Sequence, residues 1–216
     1  MIKFENTEVM NFEGAIRGMR NPLNSWCLSD SDFSMCDTWY IGEKDLNLMK
    51  RLINAGTDHR KFMRQILVSV DITAPLYWWK EFDTYKVATT ANSCSTMHKI
   101  HEKEFTLDDF SHEHLILESI DHLEGLIEVL NQVREVYVDF DNLRGNLIEC
   151  GSKKDVWWQM IQLLPSSYNQ KRTVTLNYEV LRNIAQSRKN HKLDEWSIGF
   201  MEWIDSLPYA NALLRS

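Results

Sequence analysis

Apolar residues alternate with polar ones along the stretch from Phe62 to Ile72. Ile66, Val68, Val70 and Ile72 fall on one side, with Gln65, Ser69 and Asp71 mostly on the other, the two-residue period of a half-buried strand. A looser alternation over residues 2–10 predicts a second strand, and Phe12-Glu13-Gly14-Ala15-Ile16 then opens a short helical turn. Elsewhere the period is helical. Leu46, Met49, Leu52 and Ile53 form one apolar stripe that begins after Gly42 and stops near Gly56. Pro75 is placed as the first residue of a helix running through Trp79 and Phe82. From residue 115 to 149, Leu115, Ile116, Ile120, Leu123, Leu126, Ile127, Leu130, Val133, Val136 and Tyr137 recur at three- and four-residue steps, which predicts a long central helix. Three more helices are expected: Asp155 to Leu163, ended by Pro165, then Thr173 to Ser187 and Glu195 to Leu207.

Two segments lack either period. Asn21 to Tyr40, rich in Ser, Asp, Asn and Cys, reads as a long surface loop, and the small residues of 88–96 read as another. There is no internal repeat. The expectation is one α+β domain over residues 1–216, dominated by helices, with a small, mostly antiparallel sheet built from the N-terminal third.

Composition narrows the class. With 44% hydrophobic and 25% charged residues, and only 8 Gly and 4 Pro among 216, the chain has the make-up of a folded domain rather than a linker. A formal net charge of -7 argues against nucleic acid as a partner, because phosphate backbones demand a clustered cationic excess. The start, MIKFENTEV, has no basic flank, and no apolar run approaches the ~18 residues of a membrane span. No membrane association and a cytoplasmic location are therefore expected. Cys27, Cys36, Cys94 and Cys150 are scattered without a C-x-x-C pair and read as reduced thiols.

The candidate chemistry lies around Pro75 to Ile100, where bulky rings give way to small polar residues that allow backbone to approach a ligand closely. From Tyr85 to His98 the chain reads YKVATTANSCSTMH. In spacing this resembles the signature R-H-R-x-x-S-x-N-x-x-S-x-R-Y of the flavin-dependent thymidylate synthases (ThyX), with Asn92 and Ser95 kept and Thr90 at the first Ser. A strand and Ala74-Pro75 precede it, as in that family, and His59 stands upstream. A second block is similar too: Leu164-Pro165, then Asn177, Leu181 and Arg188 at the family's spacing, followed by His191 and Glu195. The arginines of the signature are replaced. Tyr85, Lys86 and Val87 stand for R-H-R, Met97 and His98 for the later R-Y, and Asn177-Tyr178-Glu179 for N-x-R.

The resemblance spans roughly residues 59 to 200 and implies the ThyX fold, assembled as a homotetramer with sites between subunits. It further implies methyl transfer to dUMP with FAD as hydride carrier and NADPH and folate as co-substrates. Mapped residue by residue, Ser95 becomes the catalytic, substrate-orienting position, and His98 and Asn177 the other substrate contacts. His59, Lys86, Thr90, Asn92 and Arg188 become cofactor contacts, with Lys86 and Arg188 neutralising phosphate; no metal is required. The lost cations leave an alternative from another class, a non-catalytic ThyX-like oligomer that binds a nucleotide or serves a structural role.

Plainer roles compete at each position. Ser95 also suits a turn cap, Asn92 a tight turn, and Trp78, Trp79 and Tyr85 a core or interface. Arg188, His191 and Glu195 fit an ion-pair ladder along a helix. His98, His101, His112 and His114 are close enough in sequence to suggest a metal-dependent hydrolase as a third possibility, although their spacing matches no common zinc pattern.

Overall fold

The computed structural model describes residues 2–34, 39–146 and 151–215. In chain order the elements are β1 (Lys3–Met10), α1 (Phe12–Arg20), α2 (Glu43–Asn54), β2 (Leu67–Pro75), α3 (Leu76–Phe82), β3 (Thr90–Ser93), α4 (Leu117–Val138) and the short α5 (Phe140–Leu143). Then follow α6 (Lys153–Leu163), β4 (Asn169–Asn177), α7 (Tyr178–Arg188), α8 (Met201–Ser206) and α9 (Ala210–Leu213), with a π-helical turn, Glu195–Phe200, running directly into α8. The four strands form an antiparallel sheet in the order β1-β2-β4-β3. The expected α+β class, helix-dominated with a small antiparallel sheet, is what the chain adopts.

Two compact units divide the chain. One comprises Met1–Lys3, Thr73–Thr84 and Asn92–Arg172; the other comprises Phe4–Ile72, Tyr85–Ala91 and Thr173–Ser216. In the second unit α1 buries Phe12, Ala15, Ile16 and Met19, α2 buries Leu48, Met49 and Ile53, and α7 buries Leu181, Ile184 and Ala185. The start of α2 was legible at Gly42, and the reason is steric. A Cβ at this position would stand 2.3 Å from the backbone oxygen of Asp30, whose carboxylate accepts the Lys44 and Asp45 amides at 2.9 and 3.1 Å.

In the first unit α4 buries Ile127, Leu130, Val133 and Val136, one stripe at three-residue steps. Its earlier half packs with Ile100, Phe105 and Phe110, and its later half with Val156 and Met160 of α6. Ser152 and Asp155 form a reciprocal capping box at the start of α6. Replacing Ser152 with Ala removes the acceptor for the Asp155 amide, and we expect a loss of ~1 kcal/mol in urea unfolding. Trp78, Trp79 and Phe82 of α3 are at most 2% exposed, so the tryptophan pair is core, as the commoner role for such residues predicted. The Trp79 indole donates to the Gln170 carbonyl at 2.9 Å, and the Arg172 guanidinium lies 4.2 Å from the ring centre.

Several boundaries differ from the sequence pattern, each for a physical reason. β2 begins at Leu67 because Arg60–Gln65 forms a 3-10 turn that buries the adjacent Phe62 and Met63, which an alternating strand cannot do. Residues 90–93 are strand rather than loop. Thr173 to Asn177 is strand rather than helix: Val174 and Leu176 are buried while Thr173 and Thr175 are exposed, a two-residue period, and the helix starts only at Tyr178, after its N-cap Asn177. The sheet therefore draws β3 and β4 from outside the N-terminal third. The long helix ends at Val138, with Asp139 leaving helical geometry, and only one stripe of it is buried; Leu117 and Val138 are exposed. The expected helical residues 147–149 lie outside the described residues. Asn21 to Tyr40 holds 3-10 turns at Asn21–Leu23 and Trp26–Leu28 and a bridge between Asp32 and Tyr40; residues 35–38, Cys36 among them, and Cys150 also lie outside the described residues.

Candidate functional site

Arg188 ends α7 in the second unit, and its side chain is held by Tyr85 and Trp196. Its Nε donates to the Tyr85 hydroxyl at 2.8 Å, and its guanidinium lies 5.1 Å from the Trp196 ring centre and 5.6 Å from that of Tyr85. Trp196 is fully buried and meets the rings of Tyr85, His191 and Phe200 edge-on. A guanidinium stacked on aromatic faces keeps a fixed plane, which suits paired contacts to an oxyanion. Lys86, next to Tyr85, is exposed, as is Thr90.

A second polar cluster forms where α7 begins. Asn177 is buried, and its side-chain oxygen accepts the Val180 amide at 3.0 Å, so it is the N-cap of the helix. Glu179, two residues on, pairs with Arg60 at 3.2 Å and with Arg64. Burial works against the Glu179 charge, but hydrogen bonds from Arg64 and Arg60 and their positive charge hold its carboxyl below the usual range. Arg182, one turn later, is buried, and its Nε has no hydrogen-bond partner among the described residues. Burial and the neighbouring Arg60 charge pull its pKa down. His59, exposed, precedes this arginine turn.

In the first unit Asn92 lies on β3, all of whose residues are exposed. Ser95 accepts the His98 amide at 3.0 Å and so caps the turn that follows. That turn is fastened from both ends: Gln170 donates to the Cys94 carbonyl at 2.8 Å, and the Trp157 indole donates to that of Met97 at 2.9 Å. The structure thus joins Ser95 with His98, and Arg188 with the neighbour of Lys86; it places Asn177 at the N-cap of α7, two residues before Glu179. His112 contacts the Phe110 carbonyl and His101 packs on Tyr137. Among the described residues no group of three or more His, Cys, Asp or Glu could hold a metal ion, which removes the support for a histidine-based hydrolase.

Sequence reasoning missed Arg60, Arg64 and Trp196. The available signal was the carboxylate of Glu179, which in a region short of cations required basic partners, and two arginines spaced four apart after His59 were the candidates.

No protein-family model matches this sequence, and no curated protein matches it. Solved structures do match. A crystal structure of thymidylate synthase X from Helicobacter pylori with FAD and dUMP superposes with a TM-score of 0.64 at 15% identity, covering 99% of this chain and 95% of that one. A second, of flavin-dependent thymidylate synthase ThyX from Helicobacter pylori complexed with FAD and dUMP, gives 0.66 at 16%, covering 98% and 97%. The chain has a ThyX-like fold in a widely diverged sequence.

Proposed function

We propose that this protein binds a flavin and a deoxyuridylate-type nucleotide and acts as a divergent flavin-dependent thymidylate synthase, methylating dUMP in the cytoplasm as a homotetramer. The observation that supports this best is the match of fold over nearly the full length of two ThyX structures that contain FAD and dUMP. Among the described residues no helix is long and apolar enough to cross a membrane.

The residues fit a phosphorylated cofactor. Arg188 offers a planar cation on an aromatic floor, and Arg60 and Arg64 gather around the carboxylate that stands where the family motif carries a cation. FAD, when bound, supplies hydride transfer, with NADPH and folate as co-substrates. The chain's part is binding and orientation: Arg188 and Lys86 meet phosphate, His59, Thr90 and Asn92 line the cofactor, and Ser95 with His98 orients the pyrimidine. Asn177 contributes by fixing the first turn of α7, from which Arg188 projects.

Purified protein is expected to show a flavin absorbance band and to bind dUMP in calorimetry. Arg188→Ala should weaken nucleotide binding by roughly 10- to 100-fold, the equivalent of one charge-assisted contact of ~1.5–3 kcal/mol. Colourless protein that binds neither FAD nor dUMP would overturn the proposal. A second reading, a non-catalytic oligomer, draws on Val87, which is 85% exposed where the signature carries an arginine. Turnover in a deoxyuridylate methylation assay excludes it.

A further inference from the structure

A hollow of about 520 Å³ opens between α1 and the segment from Trp26 to Ser34. Both pieces belong to Phe4–Ile72, within the second unit. The segment falls in the Asn21 to Tyr40 stretch, outside the span of the ThyX resemblance and away from the Arg188 corner. Its apolar side is built from the buried Ile16 and from the rings of Trp26 and Phe33. The Trp26 indole donates to Asn21 Oδ1 at 2.7 Å, so the ring is what it offers a guest. Phe33 stacks on Trp39 with ring centres 5.7 Å apart, which steadies that wall.

On the polar side the hydroxyl protons are committed elsewhere. Ser29 and Ser31 both donate to the Asp45 carboxylate at 2.7 Å, and Ser34 hydrogen-bonds Asp32 through its hydroxyl and its amide. These oxygens present lone pairs, so a guest must bring the hydrogens. Arg20 directs its donors to Asp45, Ser25 and Leu28. Arg17 and Glu13 stand one turn apart on α1, paired at 3.7 Å, with side chains 68% and 67% exposed. So open a pair contributes little, and a guest separates it at small cost.

A phosphate would meet Glu13 and hydroxyl lone pairs, with Arg17 as the one available cation among the described lining residues. A plain amine would leave Arg17 without an anion. An α-amino acid carries both charges on one carbon and matches the two signs that α1 presents one turn apart. We infer that this hollow is a binding site for a free α-amino acid with an aromatic side chain. Its carboxylate lies on Arg17, its ammonium on Glu13 and the Ser29 oxygen, and its ring among Ile16, Trp26 and Phe33. The volume falls in the range of small-molecule sites. A peptide end brings only one of the two charges. The site shares no residue with the Arg188 corner and stands whether or not flavin or nucleotide binds.

The test titrates the full chain with L-phenylalanine and follows the Trp26 indole N–H resonance, assigned with Trp26→Phe. That signal should shift saturably. N-acetyl-L-phenylalanine, which lacks the ammonium, and L-phenylalaninamide, which lacks the carboxylate, should each bind at least ~10-fold more weakly, one charge-assisted contact being lost. Glycine, without a ring, should be weaker again. Glu13→Gln and Arg17→Gln change exposed side chains, so the fold should persist; each should weaken L-phenylalanine at least ~10-fold, and Arg17→Lys should recover part of the loss. Arg188→Ala should leave the titration unchanged. The inference is overturned if Trp26 does not respond to L-phenylalanine, if either blocked analogue binds equally well, or if both Gln variants respond like wild type. It is overturned as well if dUMP shifts Trp26 and L-phenylalanine does not, since the hollow then belongs to the nucleotide.

Discussion

Replacing Asp45 with Asn is expected to destabilise the second unit by about 3–5 kcal/mol, the cost of leaving a buried charge without its counter-ion. Asp45 is fully buried on α2. One carboxylate oxygen accepts the Arg20 Nε at 2.6 Å; the other accepts the Ser29 and Ser31 hydroxyls, both at 2.7 Å, and the Asp30 and Ser31 amides, both at 3.1 Å. An amide cannot satisfy this arrangement. With its NH2 toward the serines it meets the Asp30 and Ser31 amides, which can only donate, and with its NH2 toward Arg20 it meets another donor and a positive charge. Arg20, itself 4% exposed, then keeps the Ser25 carbonyl and hydroxyl and the Leu28 carbonyl but loses its counter-ion.

Chemical denaturation across pH supplies the check and carries a definite sign. Burial alone pushes the Asp45 carboxyl up, but hydrogen bonds from Ser31, Ser29, Arg20 and the Asp30 amide outweigh it and hold its pKa below the ordinary 3.8. A depressed folded-state pKa means that the contribution is complete above the ordinary value and is lost as pH falls through the lower one. The gap between wild type and Asp45→Asn should therefore stay constant from neutral pH down to about 5 and close only below about 4. A gap that closes between pH 7 and 5 would place the stabilisation on another group.

Trp196→Ala is the second large change, with an expected loss of about 3–5 kcal/mol for deleting a fully buried aromatic ring. Its consequence for binding distinguishes it from other core deletions. The ring is the surface against which the Arg188 guanidinium lies, and it also meets Tyr85, whose hydroxyl accepts from Arg188. Removing it frees the arginine to sample rotamers, so nucleotide affinity should fall even under conditions where the variant remains folded. Trp196→Phe keeps an aromatic face and should lose less in both respects. Calorimetry on folded Trp196→Phe and Arg188→Ala orders them: if Phe at 196 costs as much affinity as removing Arg188 itself, the stack does more than position the guanidinium.

Much of the architecture was legible because it repeats locally. The alternation of Ile66, Val68, Val70 and Ile72 predicted one core face; all four are fully buried, the last three of them on β2. Gly42 and Pro165 marked helix ends through rules of backbone geometry, and α2 and α6 lie where the helical period put them. The errors share one cause. At Thr173 to Leu176 the pattern is short enough for either period, and pairing with other strands decided it. Along α4 the apolar count suggested a helix surrounded by protein, but one stripe is buried and the remaining apolar positions are partly or fully exposed.

The candidate site was legible only in its parts. Short-range order (strand faces, helix caps, the turn at Ser95) follows from residues within a few positions of each other, so the amino-acid sequence determined it. Partnership did not follow: Glu179 meets Arg60 and Arg64 across 119 and 115 positions, and Arg188 meets Tyr85 across 103. No local period encodes such distances. Which cation answers which carboxylate, and which ring supports which guanidinium, was decided by the tertiary packing, because Coulomb and dispersion forces act through space and are indifferent to separation along the chain.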